Sequence, residues 1–302
     1  MTVLLAMVLD ALFGEPKWIW DRIPHPAVVI GRLINWADRQ FNHGAMRRTK
    51  GAVLLVALVA GGAALGAVIE RVLGGLGVVL VGAVLLAQRS LADHVRDVAD
   101  ALRISVEDGR MMVARIVGRD TAEMGEADVA RAAIESAAEN FSDGVIAPLF
   151  WFLVAGLPGL IVYKAVNTAD SMVGYRTPRH EEFGWAAARF DDLLNLIPAR
   201  LTAVLIRIVT GQGRWAEIAR DARRHRSPNA GWPEAAFARG LDVALAGPRR
   251  YHGVLTDDPF VNPAGAREIR PDAVDRAVAL LWRVWSLVAV LVAVTTTAGV
   301  LF

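Results

Sequence analysis

The sequence predicts an all-α, polytopic integral membrane protein, and three observations support this fold class. Hydrophobic residues make up 54% of the 302 residues, charged residues make up 21%, and the mean hydropathy is +0.38. A typical soluble domain is less apolar. Two long runs near residue 70 and a third at the C-terminus carry no charged side chain, and most lysines and arginines lie between such runs. We therefore expect one membrane domain with amphipathic cytoplasmic helices and broken or re-entrant helices.

The strongest predicted spans are 51–69, 72–88 and 286–302. As a helix, 51–69 would reach about 28 Å, which is close to the thickness of the hydrocarbon core of a bilayer. Glu70 and Arg71 separate the first two spans, so this pair is interpreted as a transmembrane hairpin. Gly62 and Gly66 form a GxxxG pattern there, and its simplest interpretation is close packing of small residues within the chain.

Three further apolar runs, 1–13, 144–166 and 193–209, are weaker spans. The first is short and contains Asp10, and the other two contain Pro148, Pro158 and Pro198. Proline removes a helical hydrogen bond and kinks a helix. Irregular backbone at membrane depth is tolerated only where protein or a wet cavity surrounds it. We therefore expect 144–166 and 193–209 to be broken, re-entrant or cavity-lining.

The segments 89–143 and 210–277 are predicted to be polar and cytoplasmic. Lysine and arginine number 7 in 14–50, 7 in 89–144 and 11 in 210–277, out of 33, and such residues favour the cytoplasmic side. A helical period places apolar side chains on one face of 89–103 and charged ones on the other. The apolar positions are Leu91, Val95, Val98 and Leu102, and the charged ones are Arg96, Asp97, Asp100 and Arg103. Thr121 is a candidate N-cap for the next helix, and Pro233 fits the first turn of a short helix.

Composition also excludes several classes of function. The net charge of +2 is too small to indicate nucleic-acid binding, and the absence of cysteine excludes disulfides and thiolate chemistry. The six histidines are scattered without the spacing of metal ligands, which argues against zinc.

The stretch ESAAENFSDGVIAPLFW places three acids, Glu135, Glu139 and Asp143, four residues apart beside a very apolar run. On a regular helix they would share one face and repel one another, more strongly near a low-dielectric boundary. A divalent cation, arginines or protonation would offset the repulsion, and Mg²⁺ suits hard oxygen ligands. A solvated helix face is the alternative for each acid taken singly.

Two more stretches join polar residues to apolar helix. YKAVNTADSMVGYRTPRH carries Lys164, Asn167, Asp170 and Ser171, and ionisable groups in such a place are candidates for function. FGWAAARFDDLLNLIPARL carries two adjacent aspartates between arginines. Its residues suit either ion pairs within a helix bundle or acids on a metal with arginines on phosphate, and both can hold together.

Taken together, these motifs resemble the CobD/CbiB family, the membrane-bound adenosylcobinamide-phosphate synthases of cobalamin biosynthesis. The resemblance runs from about Asp10 to Tyr251 and is carried by the three stretches above together with GRDT (118–121) and SPNAGWPEAAFARGL (227–241). One departure is Glu15, where the family's pattern leads us to expect aspartate.

The resemblance implies an ATP-dependent ligase that joins (R)-1-amino-2-propanol, or its O-phosphate, to a propionate of (adenosyl)cobyric acid. Phosphorylation of the carboxylate would provide an acyl phosphate that an amine can attack, with Mg²⁺ and cationic residues on the phosphates. The residues expected to serve in catalysis are Glu135, Glu139, Asp170 and Asp192. Those expected to bind substrate or phosphate are Lys164, Arg176, Arg189, Arg200, Asn140, Asn167 and Ser171. The expected metal ligands are Glu139, Asp143, Asp170, Asp191 and Asp192.

The expected partners are a corrinoid, aminopropanol or its phosphate, the lipid bilayer and other membrane-bound cobalamin-assembly enzymes, with no nucleic acid. The expected location is the plasma membrane, with the active site facing the cytoplasm. Three alternatives stay open: a non-enzymatic membrane sensor, a Mg²⁺-dependent prenyl transferase and a transporter.

Overall fold

A computed structural model describes residues 1–251 and 254–299, and the last three residues of the predicted span 286–302 lie outside them. The described chain is mostly helical and has few residues in strands, which confirms the predicted fold class. The helices are α1 (Thr2–Phe13), α2 (Lys17–Trp20), α3 (Pro26–Phe41), α4 (Arg47–Leu85), α5 (Gln88–Ile104), α6 (Val106–Val113), α7 (Glu126–Phe141), α8 (Ala147–Val173), α9 (Trp185–Leu194), α10 (Leu196–Thr210), α11 (Trp215–Ala222), α12 (Gly231–Leu241) and α13 (Pro271–Thr297).

Four short strands follow α12, namely β1 (Leu245–Ala246), β2 (Arg249–Tyr251), β3 (Val254–Thr256) and β4 (Phe260–Val261). The pairs β1–β4 and β2–β3 are antiparallel, with Leu245 opposite Val261 and Arg249 opposite Thr256.

Three stretches of the described chain are helical, long and apolar enough to cross a membrane: Arg47–Ile104, Glu126–Val173 and Pro271–Thr297. A fourth candidate is the bent pair α9 and α10, which meet at 42°. The described chain divides into two compact units. Unit 1 comprises Met1–Ala87, Val145–Leu196 and the chain from Val292, and unit 2 comprises Gln88–Gly144 and Ile197–Leu291.

In unit 1, α4 packs closely on α8 because glycines of α4 face the backbone and side chains of α8. A Cβ on Gly66 would lie 2.5 Å from the Pro158 Cα, and one on Gly62 would lie 3.4 Å from Ile161. The GxxxG pattern therefore serves packing within the chain. α4 itself breaks at Gly74, whose φ of 56° and ψ of −149° are not helical. After this break Gly82 approaches Phe152, so the later arm of α4 also contacts α8.

α8 is also broken, at Ala155 and Gly156, just before Pro158. Gly156 has a φ of 63°, a conformation that glycine adopts without strain. The amide of Leu157, which begins the second half of the helix, donates a 2.9 Å hydrogen bond to Glu70 Oε1 on α4. Glu70, which the sequence suggested only as an interruption between spans, therefore satisfies a backbone donor that the break exposes.

In unit 2, α7 is buried on nearly all sides from Val129 to Ala138, so it forms the core against which α5, α6 and α12 pack. The amphipathic prediction for α5 is confirmed, since Val95, Val98 and Leu102 are buried while the four predicted charged positions are exposed. The Thr121 N-cap prediction is wrong, because α7 begins at Glu126 after an N-cap at Gly125. The short helix with proline in its first turn is confirmed as α12.

Candidate functional site

Unit 2 contains a buried cluster of two arginines and two glutamates. Glu135, on α7, accepts a hydrogen bond on Oε2 from Arg119 Nη2 and one on Oε1 from the Ala246 amide, both 2.7 Å long. Arg249 Nη2 lies 3.3 Å from Glu135 Oε1 and 3.3 Å from Glu234 Oε1. The four ionisable side chains are only 6% to 13% exposed. Ion pairs and hydrogen bonds are therefore needed to offset the desolvation cost of burying charge here.

The three acids of the opening stretch do not share one environment. Glu135 is buried and Glu139, one turn later, is exposed. The α-helix ends at Phe141, and Asp143 lies in a π-helical segment, Ser142–Ile146, that interrupts the regular spacing. Of the three ways to offset the repulsion, arginines are the one that the structure provides for Glu135.

Glu234 and His225 are neighbours in this cluster, and both are neutral near pH 7. Burial raises the pKa of Glu234 to about 8, and the negative charges of Glu135 and Glu139 act in the same direction against the opposing charge of Arg249. Burial also lowers the pKa of His225. The 3.6 Å approach of His225 Nε2 to Glu234 Oε2 is therefore a contact between neutral groups, although its distance would admit an ion pair.

Replacing Glu234 with glutamine is expected to stabilise the protein above pH 7. The folded state holds a proton on Glu234 that the unfolded chain releases above about pH 4.5, so stability falls as pH rises from 4.5 towards 8 and then levels off. Glutamine does not titrate, so the variant should gain on the order of 3 kcal/mol at pH 7. The thermal unfolding midpoint in detergent between pH 5.5 and 8.5 tests this expectation. Identical pH profiles for wild type and variant would contradict it, with the exposed Glu268→Gln as the control.

Two cavities adjoin Arg249. One, of about 160 Å³, is lined by Asp221, Arg224, His225, Arg226, Asp258 and four apolar residues as well as Arg249. The other, of about 300 Å³, is lined by Arg119, Asp120, Glu123, Asp128, Arg131 and their neighbours. Arg249 thus belongs to the buried cluster and lines both cavities.

Unit 1 contains a second polar constellation, built on α8 and α9. Asp191 is buried and accepts hydrogen bonds from Asn167 Nδ2 (3.2 Å) and Asn195 Nδ2 (2.9 Å). The hydroxyl of Tyr163 donates to Asn195 Oδ1 at 2.9 Å. Among the described residues, no cationic side chain lies within 4 Å of the Asp191 carboxylate, so neutral amides alone hold this charge.

Asp170 lies near the same end of α8, one turn beyond Asn167. Its carboxylate lies against Gly174, where a Cβ would come within 2.0 Å of Asp170 Oδ1. Asp192 follows Asp191 on α9, and Arg189 Nη1 is 3.9 Å from Asp192 Oδ2 while Arg176 interacts with it electrostatically. The structure therefore places Asn167 in contact with Asp191, and Asp170 and Asp192 lie in the same unit.

The remaining predicted residues are distributed over both units. Asn140 donates to Ser136 O at 2.9 Å, and Ser171 Oγ donates to Asn167 O at 2.9 Å. Lys164 is half-buried within α8. Arg200 donates to Asn229 Oδ1 at 2.6 Å and to Pro228 O at 3.0 Å, and its guanidinium lies 4.9 Å from the ring of Trp232. Arg200 thus holds the turn before α12.

The predicted metal ligands divide between the units, with Glu139 and Asp143 in unit 2 and the other three in unit 1. Within the described residues, no three acidic or histidine side chains converge as a metal site. Mg²⁺ is commonly held by one or two carboxylates and the phosphates of its substrate. Asp191 fits such a role, because its charge has only amide partners among the described groups.

Sequence reasoning did not assign a role to Arg119, His225, Glu234 or Arg249. Arg119 belongs to GRDT and Glu234 to SPNAGWPEAAFARGL, so the motifs contained the signal. The contacts of this cluster join residues that are far apart in the sequence. The hydrogen bond between Glu135 and the Ala246 amide, for example, spans 111 positions.

Comparisons with known proteins agree on one family. The family model described as CobD/CbiB protein matches residues 3–281. A cobalamin biosynthesis protein CobD of Brucella anthropi is 46% identical, with 98% of this chain and 97% of that protein covered. Proteins of the same name from Sinorhizobium fredii and Rhodobacter capsulatus are 48% and 45% identical, covering 94% and 93% of this chain and 92% of each relative. No solved structure matches. The chain, matched over nearly its whole length, belongs to the CobD/CbiB family.

Proposed function

We propose that the chain is an amide-forming ligase of cobalamin biosynthesis. It attaches (R)-1-amino-2-propanol, or its O-phosphate, to a propionate carboxylate of (adenosyl)cobyric acid at the expense of ATP. The observation that carries the proposal is the family match over residues 3–281, since the relatives are named for cobalamin biosynthesis. The buried acids and arginines of both units supply the types of group that the reaction requires.

The reaction needs an activated carboxylate, because an oxide leaving group is too poor for direct attack by an amine. A propionate oxygen attacks the γ-phosphorus of ATP and releases ADP, which gives an acyl phosphate. The amine nitrogen then attacks the carbonyl carbon, the carbon–oxygen bond to phosphate breaks, and the nitrogen loses a proton. Phosphoryl transfer of this kind depends mainly on positioning and charge stabilisation.

The residues of unit 1 suit the phosphoryl-transfer step. Asp191 and Asp192 would hold Mg²⁺, which supplies charge neutralisation at the phosphates when it is bound with ATP. Asn167 and Asn195 fix the Asp191 carboxylate. Asp170 is positioned near the same helix end, and Arg176 and Arg189 beside Asp192 suit an anionic substrate. We assign this chemistry to the cytoplasmic side, in keeping with the distribution of basic residues.

An isotope experiment tests the proposed intermediate. Purified protein in detergent is supplied with cobyric acid labelled with ¹⁸O in its carboxylates, Mg-ATP and each candidate amine. Mass spectrometry should find the amide product and one ¹⁸O atom in the inorganic phosphate released. An amide product with unlabelled phosphate would exclude the acyl phosphate, and absence of any corrinoid product with either amine would exclude the ligase.

Replacing Asp170 with asparagine is expected to lower amide formation by about 10²-fold or more while leaving the protein folded, because a charged group at the reacting phosphates is lost. Product formation and the thermal unfolding midpoint are measured together. Asp97→Asn, on the exposed face of α5, is the matched control and should retain full turnover. Undiminished turnover of Asp170→Asn would remove Asp170 from the site.

A further inference from the structure

Four of the ten residues that line the smaller cavity of unit 2 carry side chains that can donate hydrogen bonds. Arg224, Arg226 and Arg249 contribute guanidinium groups, and His225 contributes its ring. The Ser227 amide donates a 3.0 Å hydrogen bond to His225 Nδ1. This bond leaves the ring proton on Nε2, the nitrogen that lies 3.6 Å from Glu234 Oε2.

The two acids in the wall of this cavity are already paired. Asp221 is 2% exposed and accepts a 2.6 Å hydrogen bond from Nη2 of Arg239, a residue that does not line the cavity. Asp258 lies 3.1 Å from Arg226 Nη2. Among the described residues, no acidic side chain lies within 4 Å of the Arg224 guanidinium. The lining therefore contains three arginines and two acids, and one of these acids, Asp221, is neutralised by Arg239, which does not line the cavity.

Arg249 is held in place before any ligand arrives. Its Nη2 is 3.3 Å from carboxylate oxygens of both Glu135 and Glu234, and its side chain is 13% exposed. Because Glu234 is buried and favours its protonated form, it opposes the charge of Arg249 less than an ionised carboxylate would. A fixed cationic group of this kind suits the bidentate recognition of phosphate.

We propose that this cavity is an oxyanion subsite for the phosphate group of a small ligand, with Arg224, Arg226 and Arg249 on its oxygens. At about 160 Å³ the cavity is smaller than the pockets of roughly 300–1,000 Å³ that enclose drug-sized ligands. It suits a phosphate or a small phosphate monoester and is too small to enclose a nucleotide or a corrin ring.

The identity of the phosphate rests on the proposed function. In that reaction the small phosphates are the phosphorylated amine, as substrate, and inorganic phosphate, as product. Both present the same dianionic group to the arginines, so the chemistry of the subsite is common to them.

The test compares a double variant, Arg224→Gln with Arg226→Gln, with Arg223→Gln, an exposed neighbour that does not line the cavity. Titration calorimetry in detergent measures binding of inorganic phosphate, phosphoethanolamine, ethanolamine and ATP. The double variant should bind phosphate and phosphoethanolamine roughly tenfold more weakly or worse, because two charge-assisted contacts are lost. Wild type and Arg223→Gln should bind these two probes equally, and tighter binding of phosphoethanolamine would identify the monoester as the preferred source.

Equal affinity of the double variant and the wild type for both phosphate probes would overturn the subsite, as would a loss confined to ATP or an equal loss in Arg223→Gln. Arg224 and Arg226 are exposed, and the single variant Arg224→Gln provides a second measurement if the double variant has a lowered unfolding midpoint. Binding is measured without corrinoid or turnover. A negative result therefore leaves the ligase proposal standing, and failure of the ligase assay leaves the binding result standing.

Discussion

Replacing Glu135 with glutamine is expected to destabilise the protein by about 3–5 kcal/mol, the typical effect of removing one partner from a buried ion pair. Glu135 accepts a hydrogen bond from Arg119 on Oε2. Its Oε1 accepts a hydrogen bond from the Ala246 amide and pairs with Arg249. Glutamine keeps the shape of the side chain but leaves two buried guanidinium groups with a neutral neighbour. Chemical unfolding in detergent, followed by circular dichroism, measures the change.

A second substitution sharpens this prediction. Arg119→Met in the Glu135→Gln background removes a buried charge that the first change leaves unpaired, so the double variant should recover part of the lost stability. Glu126→Gln, at the exposed start of the same helix, is the control and should change stability by less than about 1 kcal/mol. Wild-type stability in Glu135→Gln would show that the cluster contributes nothing to the fold.

Replacing Gly66 with alanine is expected to destabilise unit 1 by about 3 kcal/mol, and by more if α4 and α8 must separate along their length. The new Cβ would lie 2.5 Å from the Cα and 2.6 Å from the nitrogen of Pro158. These are backbone atoms, which cannot rotate away as the end of a flexible side chain can. The thermal unfolding midpoint of the purified protein measures the effect.

Gly61 provides the matched control on the same helix. A Cβ at Gly61 meets nothing within 4 Å, so Gly61→Ala should leave stability unchanged or raise it by up to about 1 kcal/mol through helix propensity. Equal midpoints for the two variants would contradict the packing of α4 against α8.

The helices were largely predictable from the sequence because hydrophobic length and period act locally. The uncharged runs within α4 and the 3.6-residue pattern of α5 need no knowledge of distant residues. The breaks in α8 were also indicated, since Gly156 and Pro158 carry their backbone preferences with them.

The candidate site was predictable only in part, because ion pairing depends on three-dimensional neighbours. Glu135 was singled out by its position beside an apolar run, but its arginine partners lie 16 and 114 positions away. The regular spacing of Glu135, Glu139 and Asp143 indicated one acidic face, and the π-helical segment beginning at Ser142 disrupts that face. Asn167 and Asp191 were both selected for their chemistry, whereas the contact between them required the packing of α9 on α8.

The broken backbone at Gly156 fixes the angular setting of everything that follows it on α8. Leu157 is anchored to Glu70, so the segment from Leu157 to Val173 has a defined starting point of its own. Each residue turns an α-helix by roughly 100° and advances it about 1.5 Å. One residue inserted between Leu157 and Asn167 would therefore swing Asn167 out of line with Asp191, whereas one inserted before Ala155 would spare that alignment. The contact between Asn167 and Asp191 thus constrains the chain length on the C-terminal side of the interruption.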